Sequence, residues 1–412
     1  MISDRNIICI ASNWFYDPTS KHHVMRVLAE RNHVVWVNYH GSRRPTVSGA
    51  DLRAAMGRLR QVIQGPRRVA ENITVVTPMV APLPGSRSAA ALNRRLLVRQ
   101  IRSVLRELPK RPVQLWTFAP DVDYLAGEFG EEAFIYYCVD DFSEFTGYDR
   151  EAILAAEGRL GARADLVITT SQRLFELKQF NRPSGTPGKA SAHGPSDESP
   201  GYPRPAPPRR TVLVTHGVDA EHFGTAVTAR IPDDLGAIPR PILGFWGLIQ
   251  DWVDLELLAG IASARPDWSI VLVGELLSNA ARLAALPNVH LLGRRPYSLL
   301  PAYARGFDVG MIPFQLNPLT QAVNPIKLRE YLASGLPVVS SALPEVRRYS
   351  RWVRIARGAL GWIAAIEGSI REDGESLREA RREAMRGESW AAKVREIEGH
   401  LERSLGACAP TQ

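Results

Sequence analysis

Short apolar runs alternate along this chain with segments in which apolar positions recur every three or four residues. The runs in the first half are Asn6–Ala11, Val34–Asn38, Ile73–Thr77, Val113–Thr117, Phe134–Val139, Leu166–Thr170 and Val212–Thr215. Continuous rather than alternating hydrophobicity is the mark of strands buried on both faces, as in a parallel sheet. Helical periodicity lies between them, over Lys21–Arg31, Asp51–Gln64, Ala89–Glu107, Arg150–Arg163 and Gln172–Phe180. The second half begins the rhythm again. Its strands are predicted at Ile242–Trp246, Ser269–Val273, Val289–Leu292, Val309–Pro313 and Val338–Ser341. Helices are predicted at Val253–Ala264, Tyr297–Arg305 and Pro325–Ser334, with a helix-rich tail from about Leu360 to Leu405.

Strand and helix in strict alternation imply an α/β protein of two Rossmann-like, doubly wound parallel-sheet domains facing a cleft, with a C-terminal helical tail. The boundaries expected are 1–230 for the first domain, 231–385 for the second, and 386–412 for a helix packing back toward the first. Ile231–Arg240, with Pro232, Gly236 and Pro239, reads as the link. Pro183–Arg210 is rich in Pro, Gly and Ser and poor in large apolar residues, and reads as a disordered surface loop inside the first domain.

Composition narrows the class. The chain has 412 residues, 45% hydrophobic and 23% charged, which suits a folded protein of more than one domain. It has no apolar run long enough to span a bilayer, and its first residues lack the basic start and small-residue cleavage site of a secretion signal. A cytoplasmic protein is expected. Cys9, Cys138 and Cys408 are too few and too scattered for a disulfide frame or a zinc site. The net charge of +8 favours anionic partners. Its Arg doublets are dispersed and not interleaved with aromatics, so no nucleic-acid module is visible. One hypothesis is that Arg43, Arg44, Arg58, Arg60, Arg67 and Arg68 form a patch that meets the inner face of an anionic membrane.

The most informative segment runs from Asn324 to Val339. Asn324 suits an N-cap, Pro325 the first helical position, and Gly335 the residue just past the helix end. Lys327 falls in the first turn, where free N–H groups and the helix dipole already favour an anion. Glu330 lies on the same face about 4.5 Å further along. A diphosphate at the helix end and a ribose on Glu330 would suit that pair; a plain i,i+3 ion pair on a surface helix would suit it equally.

The pattern Asn-Pro-x-Lys-x-x-Glu-Tyr-Leu-Ala-x-Gly-x-Pro-Val-Val resembles the donor-binding signature of GT-B retaining glycosyltransferases, particularly family 4. Other segments follow in that family's order: Ala164–Ser171, His216–Asp219, Gly244–Gly247, Asn288–Gly293 and Ala342–Val346. The Tyr137–Asp141 and Gly247–Asp254 segments are similar to those of teichuronic-acid and exopolysaccharide transferases. The resemblance implies a GT-B fold and a hexosyltransferase that uses a nucleotide-sugar donor, UDP- or GDP-linked, with no other cofactor and no metal. It implies a glycan or lipid-linked acceptor in cell-surface polysaccharide synthesis. It places Gly247 and Asn324 at the donor site, Lys327 on the diphosphate and Glu330 on the ribose. Two departures stand out. Ala322 occupies the place of the family's first Glu, and Leu248-Ile249-Gln250-Asp251 follow Gly247 where the family has Arg and Lys. Arg294 is therefore a further candidate for the diphosphate.

On the acceptor side, the candidates are His22 or its neighbour His23, and Asp140 and Asp141 at the carboxyl end of a strand, where α/β sites form. Asp121-Val122-Asp123 has the spacing of a metal-binding DxD, but opens a helix, where capping explains it. Rival readings are a degenerate GT-B protein that binds a nucleotide or partner without transfer, and a GT-B sugar-nucleotide epimerase.

Overall fold

The computed structural model describes residues 2–41, 57, 60–81, 83, 86–179 and 210–406. The first sheet takes strands β1 (Asn6–Ala11), β2 (His33–Asn38), β3 (Arg67–Ala70), β4 (Ile73–Val76), β5 (Val113–Thr117), β6 (Ala133–Cys138), β7 (Leu166–Thr169) and β8 (Arg210–Leu213). Their order is β3-β4-β2-β1-β5-β6-β7-β8, parallel except for the β3–β4 hairpin. Burial on both faces follows from the side-chain alternation. Ile7, Cys9 and Ala11 of β1 join one apolar cluster, and Ile8 and Ile10 join the other.

The second sheet takes β9 (Ile242–Trp246), β10 (Ser269–Val273), β11 (Val289–Leu291), β12 (Val309–Ile312), β13 (Val338–Ser340) and β14 (Val353–Ile355). Its order is β11-β10-β9-β12-β13-β14, all parallel, the winding of a dinucleotide-binding sheet. The order reverses between β9 and β12, so a crevice opens at their carboxyl ends. The Ile326–Ala333 helix lies close over β12 because residue 310 is glycine. A Cβ there would come within 2.9 Å of the Tyr331 ring.

Two expected boundaries move. Val218, Phe223, Ala226 and Leu235 belong to the second domain's core, so the chain crosses between Val214 and Val218 and not at 231–240. The Pro and Gly content of that stretch suggested a link, but Leu235 is fully buried. The return crossing is at Glu388–Trp390, where the Val218 N–H donates to the Glu388 carbonyl at 2.8 Å. Beyond it the Trp390–Gly406 helix sets Trp390, Val394, Ile397 and Leu401 into the first domain's core, a single apolar stripe at helical spacing. The Asp51–Gln64 helix is described only at 57 and 60–64. The Pro183–Arg210 stretch lies outside the described residues but for Arg210, as do Arg43, Arg44, Arg58 and Cys408.

Ile397→Ala should leave a cavity beneath the first sheet and cost about 2–5 kcal/mol. Calorimetric melting should show the loss in the transition of the first domain and leave that of the second in place.

Candidate functional site

The Ile326–Ala333 helix ends in a Schellman turn: the Leu336 N–H donates to the Tyr331 carbonyl at 3.0 Å and the Gly335 N–H to Leu332 at 2.9 Å, with Gly335 at φ +82°. Its beginning differs from expectation. Pro325 is the N-cap, and no side chain caps the helix. Asn324 is buried at the seam between domains, where its amide donates to the Thr170 carbonyl (2.6 Å) and accepts from Arg329 Nη1 (2.8 Å). Beside it, Ser171 Oγ donates to the Ala322 carbonyl (2.6 Å), and the Gln172 N–H donates to Glu345 Oε1 (2.7 Å).

Lys327 is half-buried, with Nζ 5.1 Å from the Phe245 ring centre and 4.9 Å from that of Phe314. Burial lowers its pKa to about 8, while Glu330 and Asp140 pull it upward. Gly247 follows β9 at φ +125°, and a Cβ there would lie 3.3 Å from Lys327 Cε. That conformation and that approach suit glycine. Glu330 is 8% exposed and accepts a 2.8 Å hydrogen bond from Trp246 Nε1. Burial raises its pKa to about 6, against the Trp246 hydrogen bond and the Lys327 charge.

Across the cleft, Asp140 stands just past β6, and its carboxylate makes no hydrogen bond or ion pair among the described residues. Burial raises its pKa to about 6, opposed by Lys21 and Lys327 and reinforced by Asp141. Lys21, which sequence reasoning did not single out, donates from Nζ to Ser12 Oγ at 3.0 Å. Lys327, Glu330, Gly247 and Asp140 therefore gather with Lys21 about the carboxyl edges of the two sheets.

Other candidates are engaged elsewhere. Asp141 accepts from Ser143 Oγ (2.8 Å) and pairs with Lys178 at 3.4 Å, in a buried network completed by the Lys178–Glu157 contact of 2.7 Å. His22 accepts the Thr19 N–H at Nδ1 (3.1 Å), which puts its proton on Nε2, facing the Trp14 carbonyl at 3.2 Å. Its ring stacks on Trp36, and burial holds its pKa at about 3, so it is a neutral, internally bonded ring with no nitrogen left for an acceptor. His23 stacks on Trp390 and lines a separate groove of about 1010 Å³. Arg294 binds both oxygens of Asp17 across the domains, at 2.9 and 3.0 Å. Asp121 accepts from the Tyr39 hydroxyl and Asp123 pairs with Arg159. Among the described residues, no three His, Cys, Asp or Glu are grouped to hold a metal.

Residues 240–360 match the family model for glycosyl transferases group 1. The second domain is a glycosyltransferase group 1 domain. TuaH of Bacillus subtilis (strain 168), assigned as a teichuronic acid biosynthesis glycosyltransferase, is 28% identical over 300 residues, covering 69% of this chain and 70% of that one. Sucrose-phosphate synthase from Thermosynechococcus elongatus superposes with a TM-score of 0.67 at 16% identity, over 98% of this chain and 100% of that one. HepE of Anabaena, solved with UDP and glucose, gives 0.61 at 14%, over 96% and 99%. These structures establish the GT-B fold. With the group 1 domain and the TuaH relative, they give the chain a sugar-transfer role. No described helix of this glycosyltransferase is long and apolar enough to cross a membrane.

The raised pKa of Glu330 carries a stability consequence. A carboxyl raised from 4.5 to about 6 binds its proton more tightly folded than unfolded, so stability falls as pH rises through that interval. Glu330→Gln should be the more stable protein at pH 7.5, by up to about 2 kcal/mol. The gain should vanish below pH 4.5; melting curves across pH 4–8 measure it.

Proposed function

We propose that this glycosyltransferase moves a hexose, with retention, from a nucleoside-diphosphate sugar to a glycan or lipid-linked acceptor in the synthesis of a cell-surface polysaccharide. The observation that carries the donor half is Lys327 in the first turn of an uncapped helix, hydrogen-bonded to nothing described, with ionisable Glu330 one turn further on. The ammonium and the free N–H groups suit a diphosphate, and the carboxylate suits the two ribose hydroxyls. The UDP complex of HepE, a protein of the same fold, supports a uridine donor. The similarity to TuaH supports the acceptor class.

In the reaction proposed, the bond between C1 of the sugar and the β-phosphate oxygen breaks, and the acceptor oxygen bonds to C1. The acceptor's proton passes to the departing phosphate or to Asp140, whose pKa of about 6 lies near the range of an effective base. Lys327 would neutralise the charge that grows on the phosphate. Asp140 lies within the electrostatic influence of that same lysine, and retention would require the acceptor to approach the face of the sugar from which the phosphate departs.

Melting the protein with UDP, GDP, TDP, ADP and CDP tests the donor site. One nucleotide at a hundred times its dissociation constant should stabilise wild type by about 2.7 kcal/mol, and Lys327→Ala and Glu330→Ala should abolish the gain. Binding should weaken as pH falls through about 6 and Glu330 takes up its proton. Stabilisation by no nucleotide would end the donor reading. Proton NMR of the first product from UDP-glucose reads the anomeric outcome.

A peripheral membrane contact belongs to the same proposal, since Arg60, Arg67 and Arg68 are exposed. Sedimentation with phosphatidylserine vesicles should be lost in a triple Arg→Gln variant and weakened by salt.

A further inference from the structure

Resting on that donor reading, a second question is what neutralises the rest of the diphosphate. The second domain offers little beyond Lys327. Leu248-Ile249-Gln250-Asp251 follow Gly247, and the Arg294 guanidinium is held by Asp17.

The first domain supplies a candidate. β1 and β6 are each paired with β5, so their carboxyl ends stand about 10 Å apart. Asp140 follows β6. Lys21 lies on the helix that follows β1 and turns its Nζ back to Ser12 Oγ, at the carboxyl end of β1. It is half-buried, and its sole described hydrogen-bond partner is a neutral hydroxyl, a thin compensation for an ammonium taken from water. Lys327, from the opposite domain, stands beside the rings of Phe245 and Phe314 and the Gly247 turn and makes no hydrogen bond or ion pair among the described residues. One carboxylate, Asp140, lies in the field of both lysines and forms an ion pair with neither. Glu330, one turn beyond Lys327, lies in the field of that lysine as well, yet among the described residues neither ammonium is ion-paired where the two sheets face each other.

The geometry points to Lys21 as the second ligand of the donor diphosphate, supplied by the acceptor-side domain. Its Nζ donates to a terminal phosphate oxygen while Lys327 holds the same diphosphate from the other side. The diphosphate is then gripped from both domains, and the donor completes the cleft. A nucleoside monophosphate, lacking the second phosphate, gains much less from Lys21.

Titration calorimetry with UDP and UMP, or GDP and GMP if guanine proves the base, tests this on wild type, Lys21→Met, Lys21→Arg and Ser12→Ala. Lys21→Met, of similar length and uncharged, should lose about 10- to 100-fold in diphosphate affinity and much less in monophosphate affinity. Lys21→Arg should recover most of the loss, and Ser12→Ala should bind as wild type does. An unchanged ratio of diphosphate to monophosphate affinity in Lys21→Met would overturn the assignment. So would an equal loss in Ser12→Ala, which would make Lys21 a tether for the loop. Unliganded melting and the Arg variant separate loss of binding from loss of fold. A wild type that binds neither diphosphate removes the donor reading itself; one that binds while Lys21→Met binds equally well removes only the role of Lys21.

Discussion

Everything proposed for the cleft depends on a short seam in which Thr170, Ser171 and Gln172 of one domain meet Ala322, Asn324 and Glu345 of the other. Its hydrogen bonds are 2.6–2.7 Å long, and Ser171, Ala322, Asn324 and Glu345 are all buried. Buried amides and carboxylates are costly unless satisfied, so the seam tolerates little sliding. Asn324 spends both ends of its amide there and none on capping. The N–H groups at the start of the Ile326–Ala333 helix are thereby left without a side-chain partner, at the point where Lys327 and Gly247 approach each other. The same residue that docks the domains leaves the helix end open to a ligand.

The second constraint is electrostatic. Lys327, Glu330 and Asp140 are withdrawn from water with incomplete partners, and each pKa moves toward neutrality: about 8 for the lysine and about 6 for both acids. At neutral pH all three remain charged, but at an energetic cost. A ligand bearing a diphosphate and a ribose would supply the lysine's counter-charge and the hydroxyl donors that the Glu330 carboxylate lacks. Opposed shifts of acids and bases within one cleft are more typical of a binding site than of a structural ion pair, and the contrast lies within this molecule. The Lys178–Glu157–Asp141 network, more deeply buried, is directly paired, and its lysine is shifted upward.

The central strands were legible because burial on both faces leaves continuous apolar runs, and β1, β5, β9 and β10 fall where those runs predict. The edges were not. β3, Arg67–Ala70, is largely exposed, and β14 carries the exposed Arg354, so neither has a continuous apolar signal. Lys327 and Glu330 were legible from helix position and family resemblance together. Lys21 was not, since nothing local distinguishes it from other basic residues; its proximity to Asp140 is set by the strand order β1-β5-β6. His22 and Asn324 misled for a related reason. Residue type told that each would hydrogen-bond, but not with what.

Ala322 shows how a departure from a family pattern acquires a physical meaning. Read from the sequence, it is an acid missing from the donor site. In the fold its side chain is fully buried and joins the apolar cluster of the opposite domain, with Val167 and Leu174, while its carbonyl receives Ser171. A carboxylate in that cluster would be an unpaired buried charge at the joint on which the cleft depends, so an acid is disfavoured there whatever the substrate. Position 322 serves the seam, not the sugar. Under the proposed function, recognition of the sugar would fall to groups that still face the cleft, of which Asp140 lies across it from Lys327. Donor selectivity would then rest partly on the first domain, the one that also carries Lys21.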